Sequence, residues 1–376
     1  MIVDTLISSK FIFNLLNPVP AVFYRETKRV FLRGNIHHTD IVCQAFLCVT
    51  MRFMSQGFWQ KLKKPIMALA PMADVTDAAF RRIIAKYGKP DVMFTEFTSA
   101  DGLVSGGKEK LLPNLLYSES ERPIVAQLFS GNPEKLFEAA RLVKELGFDG
   151  LDINMGCPDR SIEKAGAGAV LIKNPKLARE LIRAAKKGSK LPVSIKTRLG
   201  YGKDILEEWL SELLAEEPAA ITIHARTRKE MSKVPAHWGR IQRAVEIRTE
   251  LKSEALILGN GDAVSLADAH RKAAETGADG VMLGRAIFGN PFLFAEQKYD
   301  LRFRMYDLRR KLEILVEHTK LFKELLGKHK NFAIMKKHFK AYVASFSGAK
   351  ELRTKLMEAS SASEVQDIAE IFSMPQ

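Results

Sequence analysis

The run Asp152-Ile153-Asn154-Met155-Gly156-Cys157-Pro158 ends a short apolar stretch in a Gly-Cys-Pro turn that presents one thiol at a loop tip. A buried cysteine usually fills a strand or helix as a small hydrophobe, whereas glycine and proline on either side of Cys157 force the chain to turn beside it. That placement suits a proton donor or a nucleophile, set against a thiol that merely packs beneath the turn. Lys196 closes a second apolar run, Ser194-Ile195-Lys196-Thr197-Arg198. A half-buried ammonium there must meet a carboxylate, a phosphate or an electron-rich ring, because burying it alone is costly. Schiff-base chemistry is the rival use of Lys196, but it leaves Cys157 and Gln127 without roles. Gly259-Asn260-Gly261-Asp262 and Gly284-Arg285 form a third group, whose glycines let backbone amides approach a phosphate while Arg285 adds charge-assisted hydrogen bonds. Glycines serving only tight turns are the alternative. The Gly-rich stretch Lys164 to Ala169 follows the cysteine loop instead of opening a helix after a strand, so it is no dinucleotide fingerprint.

Positioning these groups requires many short strands. Eight β-like runs occur, at 66–70, 92–95, 124–128, 150–154, 193–196, 220–224, 256–259 and 280–283. Segments of helical period lie between them, including 133–146 after the turn Ser130-Gly131-Asn132, then 175–187, 205–214 and 265–276. Near-continuous apolar strands alternating with helices predict an α/β fold, a (β/α)8 TIM barrel, with a doubly wound open sheet as the alternative. The barrel requires the chemistry to follow strand C-termini. Pro71-Met72-Ala73, Glu96, Gln127, Asn154 to Cys157, Lys196 with Arg198, His224 with Arg226, Asn260 to Asp262 and Gly284-Arg285 all do so, and contributions from every strand are what an open sheet does not predict.

The 376-residue chain is long enough for such a barrel and an appendage. Its net charge of +14 fits a polyanionic partner. Three cysteines, Cys43, Cys48 and Cys157, lack metal-ligand spacing and fit a reducing cytoplasm; no metal and no membrane span are expected. The first 60 or so residues show no sustained period and no basic n-region of a signal peptide, and a start at Met51 or Met54 would run directly into the first strand. After Phe294 the chain turns basic: 298–340 hold 13 Lys or Arg against five Asp or Glu. Within 308–326, Leu312, Leu315, Val316, Thr319 and Phe322 share one helix face while Arg309, Arg310, Lys320 and Lys323 face outward, as in a helical bundle. Lys336, Lys337, His338 and Lys340, with Phe339 and Tyr342 interleaved, form the densest basic patch, a candidate phosphate contact against the ordinary reading of a solvated face.

Taken together, Ala70-Pro71-Met72-Ala73-Asp74-Val75-Thr76-Asp77 with Phe80-Arg81, Thr95-Glu96, Gln127-Leu128-Phe129, Asp152 to Pro158, Gly166-Ala167-Gly168, Lys196 to Gly200, Gly259 to Asp262 and Gly284-Arg285-Ala286 resemble the tRNA-dihydrouridine synthases over roughly 65–291. Asp74 departs from the family's usual glycine, Phe97 from a frequent methionine, and Ser130 from a frequent glycine. The resemblance implies an FMN-dependent barrel followed by a small C-terminal all-helical domain that binds tRNA. It places Pro71, Met72, Ala73, Gln127, Lys196 and His224 against the flavin, and Asn260, Gly261, Asp262, Gly284 and Arg285 at its phosphate end. It implies NADPH (or NADH) as hydride donor, hydride delivery to uracil C6, Cys157 as the acid to C5, and Asn154 and Arg198 on the uracil edge. Lys336, Lys337 and Lys340 become candidate tRNA contacts. The expected organisation is an extension over 1–62, the catalytic barrel over 63–296 and the tRNA-binding helices over 297–376, acting as a monomer. A small-molecule flavin oxidoreductase of the dihydroorotate dehydrogenase or enoate reductase type shares the barrel but leaves the basic tail unexplained. A flavinless scaffold carrying an RNA-binding module is the non-catalytic alternative.

Overall fold

Parallel strands β1 (Ile66–Leu69), β2 (Met93–Phe94), β3 (Thr98–Ser99), β4 (Ile124–Phe129), β5 (Gly150–Asn154), β6 (Val193–Arg198), β7 (Ala220–His224), β8 (Leu256–Asn260) and β9 (Gly280–Leu283) form one sheet in the order β1-β9-β8-β7-β6-β5-β4-β2. The Ala68–Val92 bridge joins its two ends, closing the barrel. This computed structural model describes residues 56–295, 308–343 and 348–373. Most of the expected N-terminal extension, Cys43, Cys48 and the basic stretch 298–307 lie outside the described residues.

Eight strand positions become nine strands because the second one is interrupted. β2 and β3 both pair with β4, and Thr95-Glu96-Phe97 bulges out between them. The Thr95 hydroxyl accepts from the Gln127 N–H at 3.0 Å and donates to the Glu96 carbonyl, while the Glu96 carboxylate reaches the Asp74 N–H and the Lys330 ammonium.

Helix ends follow the local chemistry. Asn132 accepts from the N–H groups of Glu134 and Lys135 and Pro133 occupies the first position of helix Pro133–Glu145; Asn174 and Pro175 repeat that arrangement for Pro175–Ser189. Ser265 caps Leu266–Thr276, which stops at Gly277 in the left-handed region. These helices pack on the outward strand residues, among them Leu128, Ile153, Ile195, Ile223, Ile257 and Val281, in one buried core. The inward residues Ile66, Ala68, Phe94, Val125, Ala220, Leu258 and Met282 fill the cylinder with Trp59. Trp59 belongs to the 3₁₀ turn Gly57–Lys61, so this short segment, which the sequence reading assigns to the extension, packs into the barrel.

The helices Leu308–Leu326, Met335–Tyr342, Ala349–Glu358 and Ala362–Ser373 pack around Leu315, Phe322, Met335, Phe339, Leu352 and Val365. Ala79 and Ile83 of helix Ala78–Tyr87 belong to the same cluster, which ties the helical region to the barrel. His338, Phe339 and Tyr342 are buried there. The sequence reading that interleaves them with exposed lysines is therefore corrected: 335, 338, 339 and 342 are the inner face of one helix, and Lys337 and Lys340 lie on the outer one. Arg309, Lys320 and Lys323 face outward as expected. Among the described residues, no helix is long and apolar enough to cross a membrane.

Candidate active site

Side chains alternate along a strand, so the parity that points into the barrel is set by its packed interior. Following that parity to the C-terminal rim selects Gln127, Asp152 and Asn154, Ser194, Lys196 and Arg198, His224, Asn260 and Gly284. Register makes them neighbours: Gln127 lies beside Asp152, Asp152 beside Ser194, Asn154 beside Lys196, Arg198 beside His224 and His224 beside Asn260.

Cys157 follows β5 at this rim and is partly exposed. Its turn is held from several sides. Asn154 Oδ1 accepts from the N–H of Gly156 at 3.1 Å and of Cys157 at 2.9 Å. The Cys157 carbonyl accepts from the Ala169 N–H at 2.9 Å. A Cβ at Gly168 would stand 2.7 Å from that carbonyl, and its φ of +68° is left-handed, which explains the Gly166-Ala167-Gly168 pattern. Arg228 grips Glu163 with both nitrogens, at 2.9 and 2.7 Å, and donates to the Pro158 carbonyl at 3.3 Å. Burial outweighs the opposing Asp159 backbone N–H and the Lys196 and Arg198 charges and, with a smaller push from the Asp159 carboxylate, raises the Cys157 thiol above its ordinary range. The thiol is therefore neutral at pH 7.

Lys196 is half-buried, and its ammonium has no hydrogen-bond or ion-pair partner within reach among the described residues. Burial and then the Arg198 charge lower it to about 8, against the pull of Asp152. Arg198 is buried; it donates through Nε to the Gly156 carbonyl at 2.7 Å and through Nη1 to Thr227 O at 3.1 Å. It is thus no surface ion pair, and it links the cysteine turn to the loop after β7. Asn154 forms the turn through the bonds above, while its Nδ2 donates to Gln127 Oε1 at 3.2 Å.

On the other side of the rim, Arg226 Nη1 lies 3.1 Å from His224 Nε2. A guanidinium only donates, so His224 is neutral with its proton on Nδ1; burial and four surrounding cations hold it well below the ordinary imidazole range. Gly261, at φ +125°, lets the chain pass His224: a Cβ there would lie 3.2 Å from the imidazole Cδ2 and 2.9 Å from Ala236 Cβ. Asn260 Nδ2 donates to the Met282 carbonyl at 2.8 Å. The Asp262 carboxylate is engaged by Arg226, by Arg285 at 2.9 Å and by the Ala236 N–H at 2.9 Å. Its side chain therefore orients two arginines, which leaves its backbone N–H as the group suited to a phosphate. Met72 lies beside Gly284, where a Cβ would be 3.8 Å from its sulfur; Pro71 is buried and Ala73 exposed next to it.

This set of an unpartnered ammonium, a neutral thiol, a neutral imidazole and a glycine-lined rim with two arginines fits a planar, electron-rich ring with a phosphate tail. A family model described as dihydrouridine synthase matches residues 68–374, which spans the barrel and the helices behind it. The chain belongs to the dihydrouridine synthase family. It is 40% identical over 322 residues to the probable tRNA-dihydrouridine synthase 2 of Bacillus subtilis strain 168, covering 85% of this chain and 97% of that one. It is 39% identical to the probable tRNA-dihydrouridine synthase of Staphylococcus aureus strain MRSA252, covering 85% and 96%. Among solved structures, it is similar at 16% identity and a TM-score of 0.47 to histamine dehydrogenase from Rhizobium sp. 4-9, over 68% of this chain and 48% of that chain.

Within this dihydrouridine synthase the rim also contains Arg226 and Asp152, which the sequence analysis names without a specific partner, and Arg228 and Glu163, which it does not name. Arg226 and Arg228 follow the β7 strand end, and Glu163 stands six residues beyond Cys157; a charged residue just past a barrel strand is the signal that finds the first two. Asp152 is quoted with the cysteine run, but its inward direction is visible only through strand parity. Lys336, Lys337 and Lys340 lie on helix Met335–Tyr342, Lys337 being half exposed with its Nζ 3.3 Å from Asp74 Oδ2.

Proposed function

We propose that this chain reduces uridines in tRNA to 5,6-dihydrouridine, acting as an FMN enzyme in the cytoplasm. The observation that carries the reading is the pairing, across β5 and β6, of a neutral thiol on a braced turn with a half-buried ammonium that has no partner among the described residues. Lys196, Gln127, His224 and the Pro71-Met72-Ala73 turn would hold the ring; Gly261, Gly284, Arg285 and the backbone N–H groups of Asn260 and Asp262 would hold the phosphate. FMN held there would supply a hydride to C6 of the uracil, with NADPH (or NADH) as its source. The Lys196 ammonium would stabilise negative charge developing on a ring held beside it.

Adding hydride to C6 builds negative charge on C5 and the adjoining carbonyl, and Cys157 gives its proton to C5. Arg198 and Asn154 sit beside that turn and would orient the uracil edge. A stacked base cannot reach a barrel mouth, so the uridine must be turned out, which single-stranded loops allow at a cost of about a few kcal/mol. Lys336, Lys337 and Lys340 would contact tRNA phosphates.

The test is reduction of unmodified tRNA by the purified yellow protein, with free uridine and orotate as controls. Cys157→Ala is expected to retain flavin absorbance while turnover falls about 100-fold or more. A colourless protein, or equal activity on orotate, overturns the reading. The small-molecule alternative predicts the second result.

A further inference from the structure

Below the rim lies a buried polar layer whose members touch in sequence. The Ser194 hydroxyl donates to Asp152 Oδ1 at 2.6 Å, and Gln127 Nε2 lies 2.7 Å from Asp152 Oδ2. Asn154 Nδ2 lies 3.2 Å from Gln127 Oε1, and Asn154 Oδ1 takes the N–H groups of Gly156 and Cys157. Asp152 is 1% exposed, Gln127 0% and Asn154 5%, so water does not substitute for any of these contacts without the barrel opening.

The direction of this chain is fixed from both ends. Backbone N–H groups only donate, so Asn154 must turn its oxygen toward Gly156 and Cys157 and its amino group toward Gln127. Gln127 must then offer its oxygen to Asn154 and its amino group to Asp152. An ionised carboxylate only accepts, which is what that amino group and the Ser194 hydroxyl both require. Asp152 is raised to about 6 by burial, with Ser194, Gln127 and Lys196 opposing the shift, so it is ionised at pH 7. No other arrangement of the two amides satisfies every member.

We propose that Asp152 is a positioning residue: acting through Gln127 and Asn154, it fixes the turn that carries Cys157 and sets which edge of Gln127 faces the barrel mouth. The proposal rests on the reading of Cys157 as the proton donor only where turnover is the readout. The placement of the thiol is measurable on its own.

The experiment compares wild-type holoenzyme with Asp152→Leu, Gln127→Glu and the double variant Gln127→Glu/Asp152→Asn. Alkylation of Cys157 by iodoacetamide is followed at its own peptide by mass spectrometry, alongside flavin content and kcat on unmodified tRNA. Asp152→Leu leaves the Gln127 amino group without its acceptor and is expected to change the Cys157 alkylation rate at least about fivefold and lower kcat at least about tenfold. Gln127→Glu sets two carboxylates against each other and moves alkylation in the same direction. In the double variant the new amide at position 152 donates to the new carboxylate at position 127, which still accepts from Asn154; every contact is again complementary, and alkylation returns to within about twofold of wild type. Mere loss of packing would not be repaired by that exchange. The inference is overturned if Asp152→Leu alkylates within twofold of wild type, or if the double variant is no closer to wild type than Gln127→Glu alone. Should Asp152→Leu fail to fold, the exchange pair decides the question. An inactive wild type, or a fully active Cys157→Ala, would instead count against the proposed function and leave the alkylation result standing.

Discussion

Lys330, in the turn between helices Leu308–Leu326 and Met335–Tyr342, places its Nζ 2.6 Å from Glu96 Oε2 at the barrel mouth. The other oxygen of Glu96 takes the Asp74 N–H at 2.6 Å, so one carboxylate joins the helical region to the loop after β1. The two side chains are 12% and 4% exposed. Removing the lysine leaves a buried carboxylate with one backbone donor, and Lys330→Ala is expected to cost about 3 kcal/mol. Urea unfolding measures it. Glu96→Gln in the Lys330→Ala background removes the stranded charge and should recover part of the loss; no recovery would mean that the pair is not electrostatically coupled.

Asp74 occupies the left-handed region at φ 52°, and its carboxylate lies 3.3 Å from Lys337 and 3.9 Å from Lys330. Its half-exposed pair with Lys337 contributes little to stability. Asp74→Gly removes that pair and also relieves the left-handed strain, so the two small effects offset and unfolding free energy should stay within about 1 kcal/mol of wild type. Affinity for tRNA should rise a few-fold, most at low salt, because a carboxylate no longer neutralises two lysines. Filter binding across a salt series checks this. Unchanged affinity at every salt concentration would place the RNA elsewhere.

Buried His318 and His338 lie 4.6 Å apart between ring centroids, both against Phe80, and among the described residues both nitrogens of His318 and Nε2 of His338 have no hydrogen-bond partner. Burial lowers His338 to about 3 and His318 well below 6.5. The unfolded chain therefore takes up protons near pH 6.5 that the folded chain refuses, and stability is lost as pH falls through that value. At pH 5.5 the two residues together cost about 2–3 kcal/mol relative to pH 7.5. Asp77 and Asp152, both raised to about 6, act oppositely: the folded state gains protons there first, which adds stability as pH falls. The comparison must therefore be between variants. His318→Phe/His338→Phe should gain about 2–3 kcal/mol on wild type between pH 7.5 and 5.5, read by urea unfolding at both values. A difference that does not change with pH would show that the histidines titrate normally.

Strand parity explains why much of this site can be read before the fold is known. Asn154, His224 and Asn260 are polar residues at the last inward position of their strands, and Gln127 and Lys196 stand one inward position earlier in theirs, where burial without function is costly. The helices were equally legible, because Asn132-Pro133, Asn174-Pro175 and Ser265 carry their own start signals. What escaped is long-range. Glu96 and Lys330 are 234 residues apart, and nothing local marks either as the other's partner. The left-handed backbone at Asp74 is likewise invisible from its own residue type, because aspartate tolerates that region without requiring it. His338, Phe339 and Tyr342 were legible but misread, since the charge density of their neighbours outweighed a helical period that places all three on the inner face.

Two titrations separate the roles of Lys196 and Cys157. The ammonium is lowered to about 8, whereas the thiol is raised above its ordinary value of 9.0. As pH rises, Lys196 therefore loses its charge before Cys157 loses its proton. Uridine reduction should hold up to about pH 8 and fall above it, while alkylation of Cys157, which requires the thiolate, stays slow past pH 9. Flavin-free protein should gain stability over the same interval, because the unfolded lysine keeps its proton to about 10.4 while the folded one has released it. Activity and the Lys196 contribution to stability thus move in opposite directions between pH 8 and 9, below the range in which the raised Cys157 thiol begins to count the other way, a combination that general alkaline unfolding cannot produce. If alkylation is already half-maximal below pH 8, the thiol ionises first and Cys157 cannot be the acid that protonates C5.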